Sequence, residues 1–263
     1  MQRLTISTSE ALERFISRIV QRSPLGDDET AALLSLPATI QRGRANVDIV
    51  APGELVEQAC LVVEGMLGRF VQMVDGRRQI TAMYVAGDMC DLHSVVVPRA
   101  DGALQSLSNV VVLRIPHEDL RRVARIYPAI VEAFWRDCVV DASIQSVWMA
   151  NMGRLDAKAR MAHLLCEIGT RLEHAGVGKR DRFAFEVTQS HLADALGLTP
   201  VHVNRTLQDL RSTGNIAIGN RRVEISDWPA LAAIAGFDPA YLHLDQDTVT
   251  AARAWRQTPA ARG

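Results

Sequence analysis

The sequence has no apolar run approaching the ~18 residues that a membrane-crossing helix needs, so no membrane span or membrane partner is expected. Cysteine is sparse. The four thiols, Cys60, Cys90, Cys138 and Cys166, are far apart, and no CxxC pair occurs. That excludes a zinc ribbon or a CxxC redox motif and fits small core residues in a reducing cytoplasm. The opening MQRLTISTSEALERF has acidic residues and no apolar core, so no signal peptide is expected there. Excess charge is also missing: 29 basic residues face 30 acidic ones, for a net charge of −1. A polyanionic partner would therefore have to be met by locally concentrated positive charge. There is no P-loop, no HExxH spacing and no nucleophile–base signature, so no enzyme is expected. Disorder is excluded too, because 48% of the residues are hydrophobic and only 22% charged.

The 263 residues suffice for two modest domains. Residues 1–45 read as helical, with Leu12, Phe15, Ile16 and Ile19 at helical spacing and Ser9 as a candidate cap. From about 46 to 115 the texture changes to short Val/Ile/Leu runs cut by glycines, and Asp75-Gly76 sits between two of them as a hairpin turn. Such a series predicts a small β-barrel or β-roll. Pro116 ends the last run, and PHEDLRRVARIYP reads as a short helix.

A long helix is predicted from about Pro128 to Asn151. Val131, Trp135, Cys138, Ala142, Gln145, Met149 and Met152 follow a 4-3-4-3 spacing along it. That seam suits a helix packing both on its own domain and on a second subunit; the alternative is a helix sandwiched within one core. Gly153 breaks the pattern, and Asp156 is placed to cap a new helix. Further on, FAFEVTQ reads as a strand, NIAIGNRRVEIS as a hairpin around Gly219-Asn220, DWPALAAIAGF as a short helix and the final TPAARG as a disordered tail.

Between them lies VTQSHLADALGLTPVHVNRTLQDLRSTG. Helix, tight turn, helix and hairpin make a winged helix-turn-helix pattern. Gly197 supplies the turn, Thr199 caps the second helix and Pro200 suits its first position. At about 100° per residue, Val203, Leu207 and Leu210 share the inner face. Val201, Arg205, Gln208 and Ser212 fall opposite, flanked by His202 and Asn204. Arginine pairs with guanine, and asparagine or glutamine with adenine, in the major groove. Thr188, Gln189, Ser190, Arg221 and Arg222 are candidates for phosphate contacts. The partner expected is double-stranded DNA.

These landmarks, with APGE, VVEGMLGRF, VAGDM and the long helix to GRLDAKAR, resemble the Crp/Fnr superfamily of bacterial transcription regulators over nearly the full chain. The resemblance implies an α+β chain. Residues 1–127 would form a jelly-roll-like, cyclic-nucleotide-binding-type sensor β-roll, 128–155 a dimerisation helix, and 156–263 a winged helix-turn-helix. It also implies a homodimer on a near-palindromic operator, with RNA polymerase as a possible further partner. In the cyclic-AMP receptor type, an arginine and a glutamate open the recognition helix and an arginine follows one turn later. Those places hold Pro200, Val201 and Arg205 here, so a different operator is expected, with Arg205 as its guanine reader.

The sensor region departs further. Asp91 and Leu92 stand where family members that bind cyclic nucleotides carry Gly-Glu, and no Arg-Ser or Arg-Thr clamp follows; Arg99 comes after a proline at the wrong spacing. A buried phosphate needs a paired cation, so no cyclic nucleotide is expected. An Fnr-type iron–sulfur cluster needs cysteines near the amino terminus, whereas the first here is Cys60, so none is expected either. Haem would be sought at His93 beside Cys90 and is likewise not expected. The competing reading is a ligand- or haem-sensing module whose DNA binding is weak or vestigial, motivated by the near-neutral charge.

Overall fold

The computed structural model describes residues 6–244; the terminal TPAARG lies outside them. The chain opens with α1 (Thr8–Val20) and α2 (Asp27–Leu34). Ser7, not Ser9, caps α1. Its hydroxyl accepts from Glu10 N–H at 3.2 Å while the Glu10 carboxylate accepts from Ser7 N–H at 3.3 Å. This reciprocal box needs a glutamate three residues after the cap, which Ser9 lacks. The helical reading to residue 45 also runs too far. Pro37 interrupts it, and the β-branched Thr39-Ile40 pair starts β1 (Thr39–Gly43), whose backbone groups pair with β7 (Val110–Pro116).

Between these come β2 (Asp48–Val50), β3 (Gln58–Glu64), β4 (Leu67–Gln72), β5 (Arg78–Tyr84) and β6 (Ala103–Ser106). Two antiparallel sheets, β1-β7-β3 and β2-β6-β4-β5, form the roll. Its interior holds Cys60, Val62, Leu67, Tyr84, Leu104 and Val112. The β4–β5 hairpin turns at Asp75-Gly76 as the sequence predicts, with Gly76 at φ 83°.

On the outside of the first sheet, α1, α3 (His117–Ile126) and α4 (Pro128–Arg154) bury Phe15, Leu120, Ile130 and Phe134 against Leu61, Leu113 and Ile115. The 27 residues of α4 span about 40 Å. Leu155 is extended, and Asp156 caps α5 (Ala157–His174) through Ala159 N–H at 2.8 Å. Then follow β8 (Arg182–Ala184), α6 (Gln189–Leu196), α7 (Pro200–Arg211), β9 (Ile216–Gly219), β10 (Arg222–Ile225) and α8 (Trp228–Ala235). β8 stops at Ala184, shorter than the FAFEVTQ reading. The cluster around Leu165, Ile168, Leu192, Val203 and Val223 continues into Phe70, Ile80 and Met83 of the roll, so the two halves share apolar packing.

Candidate nucleic-acid interface

α6 and α7 meet at Gly197, whose φ of 62° lies in the left-handed region. A Cβ there would meet nothing closer than 3.8 Å, so conformation rather than space calls for glycine. Thr188 and Thr199 cap α6 and α7, each hydroxyl accepting a backbone N–H at 3.2 Å, from His191 and His202 respectively. Ala193, 4% exposed, lets the two helices approach. Val203 and Leu210 are fully buried and Leu207 nearly so. Thr206 joins them, its hydroxyl donating to the His202 carbonyl at 2.9 Å. What remains outside is the predicted set: Val201, His202, Asn204, Arg205 and Gln208, all exposed. The face thus presents donors and acceptors to whatever it meets.

The wing differs in one detail from the sequence reading. Gly219 pairs with Arg222, so the two turn residues are Asn220 and Arg221, at φ 49° and 59°. Positive φ at both is the primed turn that fits strand twist. It holds Arg221 and Arg222 exposed at the tip, with Arg221 3.7 Å from Glu186. Gln189 and Ser190 are exposed at the start of α6. Arg211, which the sequence reading left out, braces the wing by donating to the Ile218 carbonyl at 2.5 Å.

Along α4 the residues facing the molecule are Ile130, Phe134, Asp137, Val140, Ile144 and Trp148. The predicted seam lies on the other side. Trp135 and Met149 are 65% and 69% exposed. Ala142 and Met152 are also exposed, while Val131, Cys138 and Gln145 are half-buried.

Inside the roll, a cavity of about 70 Å³ is lined by Arg69, Asp91, Ser94, Ala100 and Asp101. Arg69 is already engaged, donating to the Cys90 carbonyl at 2.5 Å and lying over the Tyr84 ring. The Asp91 carboxylate accepts from Cys60 N–H at 2.6 Å through one oxygen, while the other is buried without a partner. Burial pushes its pKa up to about 6. Arg99 points away, donating to the Gly53 carbonyl at 2.9 Å. The site thus sets two carboxylates, Asp91 and Asp101, beside Arg69.

Sequence reasoning missed the contact between the halves. Arg171 bridges Asp88 at 2.6 Å and Glu167 at 2.9 Å. Glu167 also accepts from the Trp148 indole at 2.8 Å and the Tyr241 hydroxyl at 3.0 Å. Arg18 binds Asp137 at 2.7 Å and the Gly87 carbonyl at 2.9 Å. This buried chain ties α1, the turn after β5, α4 and α5 together. Burial alone pushes Asp88 up, but Arg171 and Arg18 outweigh it and hold the carboxyl below its usual range. Next to the chain, burial and the nearby Asp137 push Asp141 up to about 7. One signal was available: Glu167 and Arg171, an i,i+4 pair, sit among Leu164, Leu165 and Ile168 on a helix whose residues from Met161 to Leu172 are all buried.

Comparison with known proteins places this geometry. Residues 41–127 match a family model described as a cyclic nucleotide-binding domain, and residues 159–234 one described as a Crp-like helix-turn-helix domain. The nitrogen fixation regulation protein FixK of Azorhizobium caulinodans is 26% identical over 204 residues, 77% of this chain and 80% of that protein. The fumarate and nitrate reduction regulatory protein of Escherichia coli is 21% identical over 209 residues, 80% of this chain and 82% of that protein. The structure of FixK2 from Bradyrhizobium japonicum superposes with a TM-score of 0.70 at 25% identity, covering 77% of this chain and all of that one.

Proposed function

The chain belongs to the Crp/Fnr family of DNA-binding transcription regulators, and from that premise we propose that it acts as a homodimer whose two α7 helices read a near-palindromic operator. It is a regulator, not an enzyme. The observation that carries the reading is the outward face of α7, where Arg205, Asn204 and Gln208 are exposed on a helix fixed by its cap and by three buried aliphatic side chains. Arg205 is the guanine reader, with His202, Asn204 and Gln208 supplying the remaining discrimination and Val201 an apolar contact. Thr188, Gln189, Ser190, Thr199, Arg221 and Arg222 fix the register on phosphates. The exposed stripe of α4 from Val131 to Met152 supports the dimer: Trp135 and Met149 are large apolar groups left in water unless a second α4 covers them. Two α7 helices one helical turn of DNA apart then meet successive major grooves. RNA polymerase is the further partner the family suggests.

The reading includes an effector pocket closed to cyclic nucleotides. A cyclic phosphate placed there would meet the carboxylates of Asp91 and Asp101, beside an Arg69 that donates to the Cys90 carbonyl and lies over the Tyr84 ring. Iron–sulfur clusters and haem are set aside as well. Cys60 and Cys90 meet inside the roll, while Cys138 and Cys166 stand on α4 and α5, so the four thiols are not gathered at one place. Among the described residues no helix is long and apolar enough to cross a membrane. The test is Arg205→Ala in a gel-shift titration on the selected operator. Loss of roughly 1–3 kcal/mol of specific binding and relaxed preference at one base are expected; unchanged affinity would overturn the assignment.

A further inference from the structure

The winged helix is held to the roll at two separate places. At one, the Arg171 clasp joins α5 to Asp88, four residues past the end of β5. The other lies at the opposite end of that strand. There Arg78 comes 3.6 Å from Asp194, and the Gln79 amide donates to the Ala195 carbonyl at 3.2 Å. β5 runs seven residues from Arg78 to Tyr84, so the two places stand roughly 20 Å apart. One attachment would leave the winged helix free to turn about it; two fix its angle. At the second place His191 makes two bonds at once. As the third residue of α6 it accepts the Thr188 N–H on Nδ1 at 3.3 Å, closing the helix cap. Its Nε2 lies 2.9 Å from the Asn46 amide oxygen on the roll. The backbone N–H fixes the tautomer: Nδ1 carries the lone pair, so the proton sits on Nε2 and is donated to Asn46. Burial and the nearby Arg78 hold the imidazole below its usual pKa, which keeps it in this neutral form. A glutamate, common at this capping position, could close the cap but has no proton to give. Asn46 is fixed in its turn. It sits at φ 64°, a region asparagine tolerates, and its N–H donates to the Ser106 carbonyl at 2.7 Å.

We propose that this second attachment, with His191 at its centre, sets the half-site spacing that the dimer accepts. The inference rests on the homodimer and operator reading above and extends it. α7 chooses the bases, while Asn46, Gln79 and His191 decide at what separation and angle the two copies of the half-site are read. His191 is a positioning residue: it acts through Asn46 on one side and through the start of α6 on the other. One extra base pair between the half-sites turns one of them by about 35° around the DNA axis. A dimer whose winged helices are held at a fixed angle can follow that turn only by breaking the attachment in at least one subunit.

The test uses the full chain and three duplexes carrying the selected inverted repeat, with its own spacing or with one base pair added or removed at the centre. The N46G/Q79A double variant removes two neutral hydrogen bonds from the roll side. It leaves every residue of the winged helix and the net charge unchanged, and glycine keeps the positive φ at position 46. A neutral hydrogen bond contributes roughly two- to tenfold to an equilibrium, so losing two in one subunit weakens binding roughly four- to a hundredfold. Wild-type protein should prefer the native spacing. In the double variant that preference should shrink by this factor, while its base preferences within the half-site and its salt dependence stay those of the wild type. H191Q, whose amide offers one acceptor and one donor as the imidazole does, should keep the wild-type spacing preference. A wild type indifferent to spacing, a double variant that keeps the wild-type ratios between the three duplexes, or an H191Q protein that loses the preference overturns the inference while leaving the operator reading intact. Failure of wild-type protein to bind any of the three overturns the operator reading, and this inference with it.

Discussion

Replacing Arg171 by methionine should unfasten the two halves of the chain. The substitution keeps much of the volume and removes one guanidinium that lies 2.6 Å from Asp88 and 2.9 Å from Glu167. Asp88 would retain Arg18, at 3.8 Å, and the Val85 N–H at 2.8 Å. Glu167 is worse placed: its side chain is 0% exposed, and it would keep only two neutral donors, Trp148 and Tyr241. Stranding a buried charge by deleting its partner costs about 3–5 kcal/mol. For a chain of this size each kcal/mol shifts the midpoint by about 2–4 °C, so Tm should fall by roughly 6–20 °C. The double variant R171M/E167Q removes the stranded charge and keeps an oxygen for the indole or the phenol, so it should recover a good part of the loss. Differential scanning calorimetry on wild type, single and double variants reads both effects. A single variant within about 1 kcal/mol of the wild type, or a double variant no better than the single, would refute the view that this buried pair holds α5 to the roll.

Other expectations follow from the same geometry. Trp135→Asp puts a charge in the exposed α4 stripe and should convert a sedimenting dimer to monomer at micromolar concentration; a variant that stays dimeric would move the interface elsewhere. Asp141 has a folded pKa of about 7, above its unfolded value, so the fold prefers it protonated. Its ionisation therefore destabilises the fold as pH rises from the unfolded pKa of about 4 through 7. Lowering the pH from 8 to 5.5 should therefore raise the urea midpoint of wild type relative to that of Asp141→Asn, whatever the buried histidines contribute to both; identical pH dependences would contradict it. Asp88 works in the opposite sense, its lowered pKa giving stability that is lost only as pH falls below the normal carboxylate range, so it leaves that window clear. Saturating cyclic AMP or cyclic GMP should leave Tm unchanged, whereas a ligand at a hundred times its Kd would add about 2.7 kcal/mol and raise Tm visibly.

The parts legible in the sequence are those where local chemistry and fold agree. Asp75-Gly76 between alternating runs, Thr199-Pro200 before a helix, and Gly197 after one each name a backbone conformation that few other residues would adopt, and each stands where the sequence places it. Ser9 reads as a cap because it stands beside Ser7 at the start of the same apolar pattern, but it lies inside α1, and only Ser7 stands three residues before Glu10. β1 was hidden in a helical texture because its pairing with β7 is made by backbone groups some 70 residues away. The wing turn slipped by one residue because Arg221, at φ 59°, adopts a conformation more usual for glycine or asparagine. Of the clasp between the halves, only the i,i+4 spacing of Glu167 and Arg171 on α5 was legible. Arg18, Asp88, Asp137, Glu167 and Arg171 come from distant segments, and nothing in any one segment says that its charge is buried. On α7 the reverse holds: helical phase alone separates the buried side chains from the exposed ones.

The most direct test of the account is selection from a random duplex DNA library by the purified full chain, without added ligand, at physiological salt, with the retained fraction sequenced. The account predicts an enriched inverted repeat whose half-sites lie about one helical turn apart and whose guanine position loses its preference in Arg205→Ala. Enrichment of no repeat, with or without metabolite extract added to the selection, would contradict it.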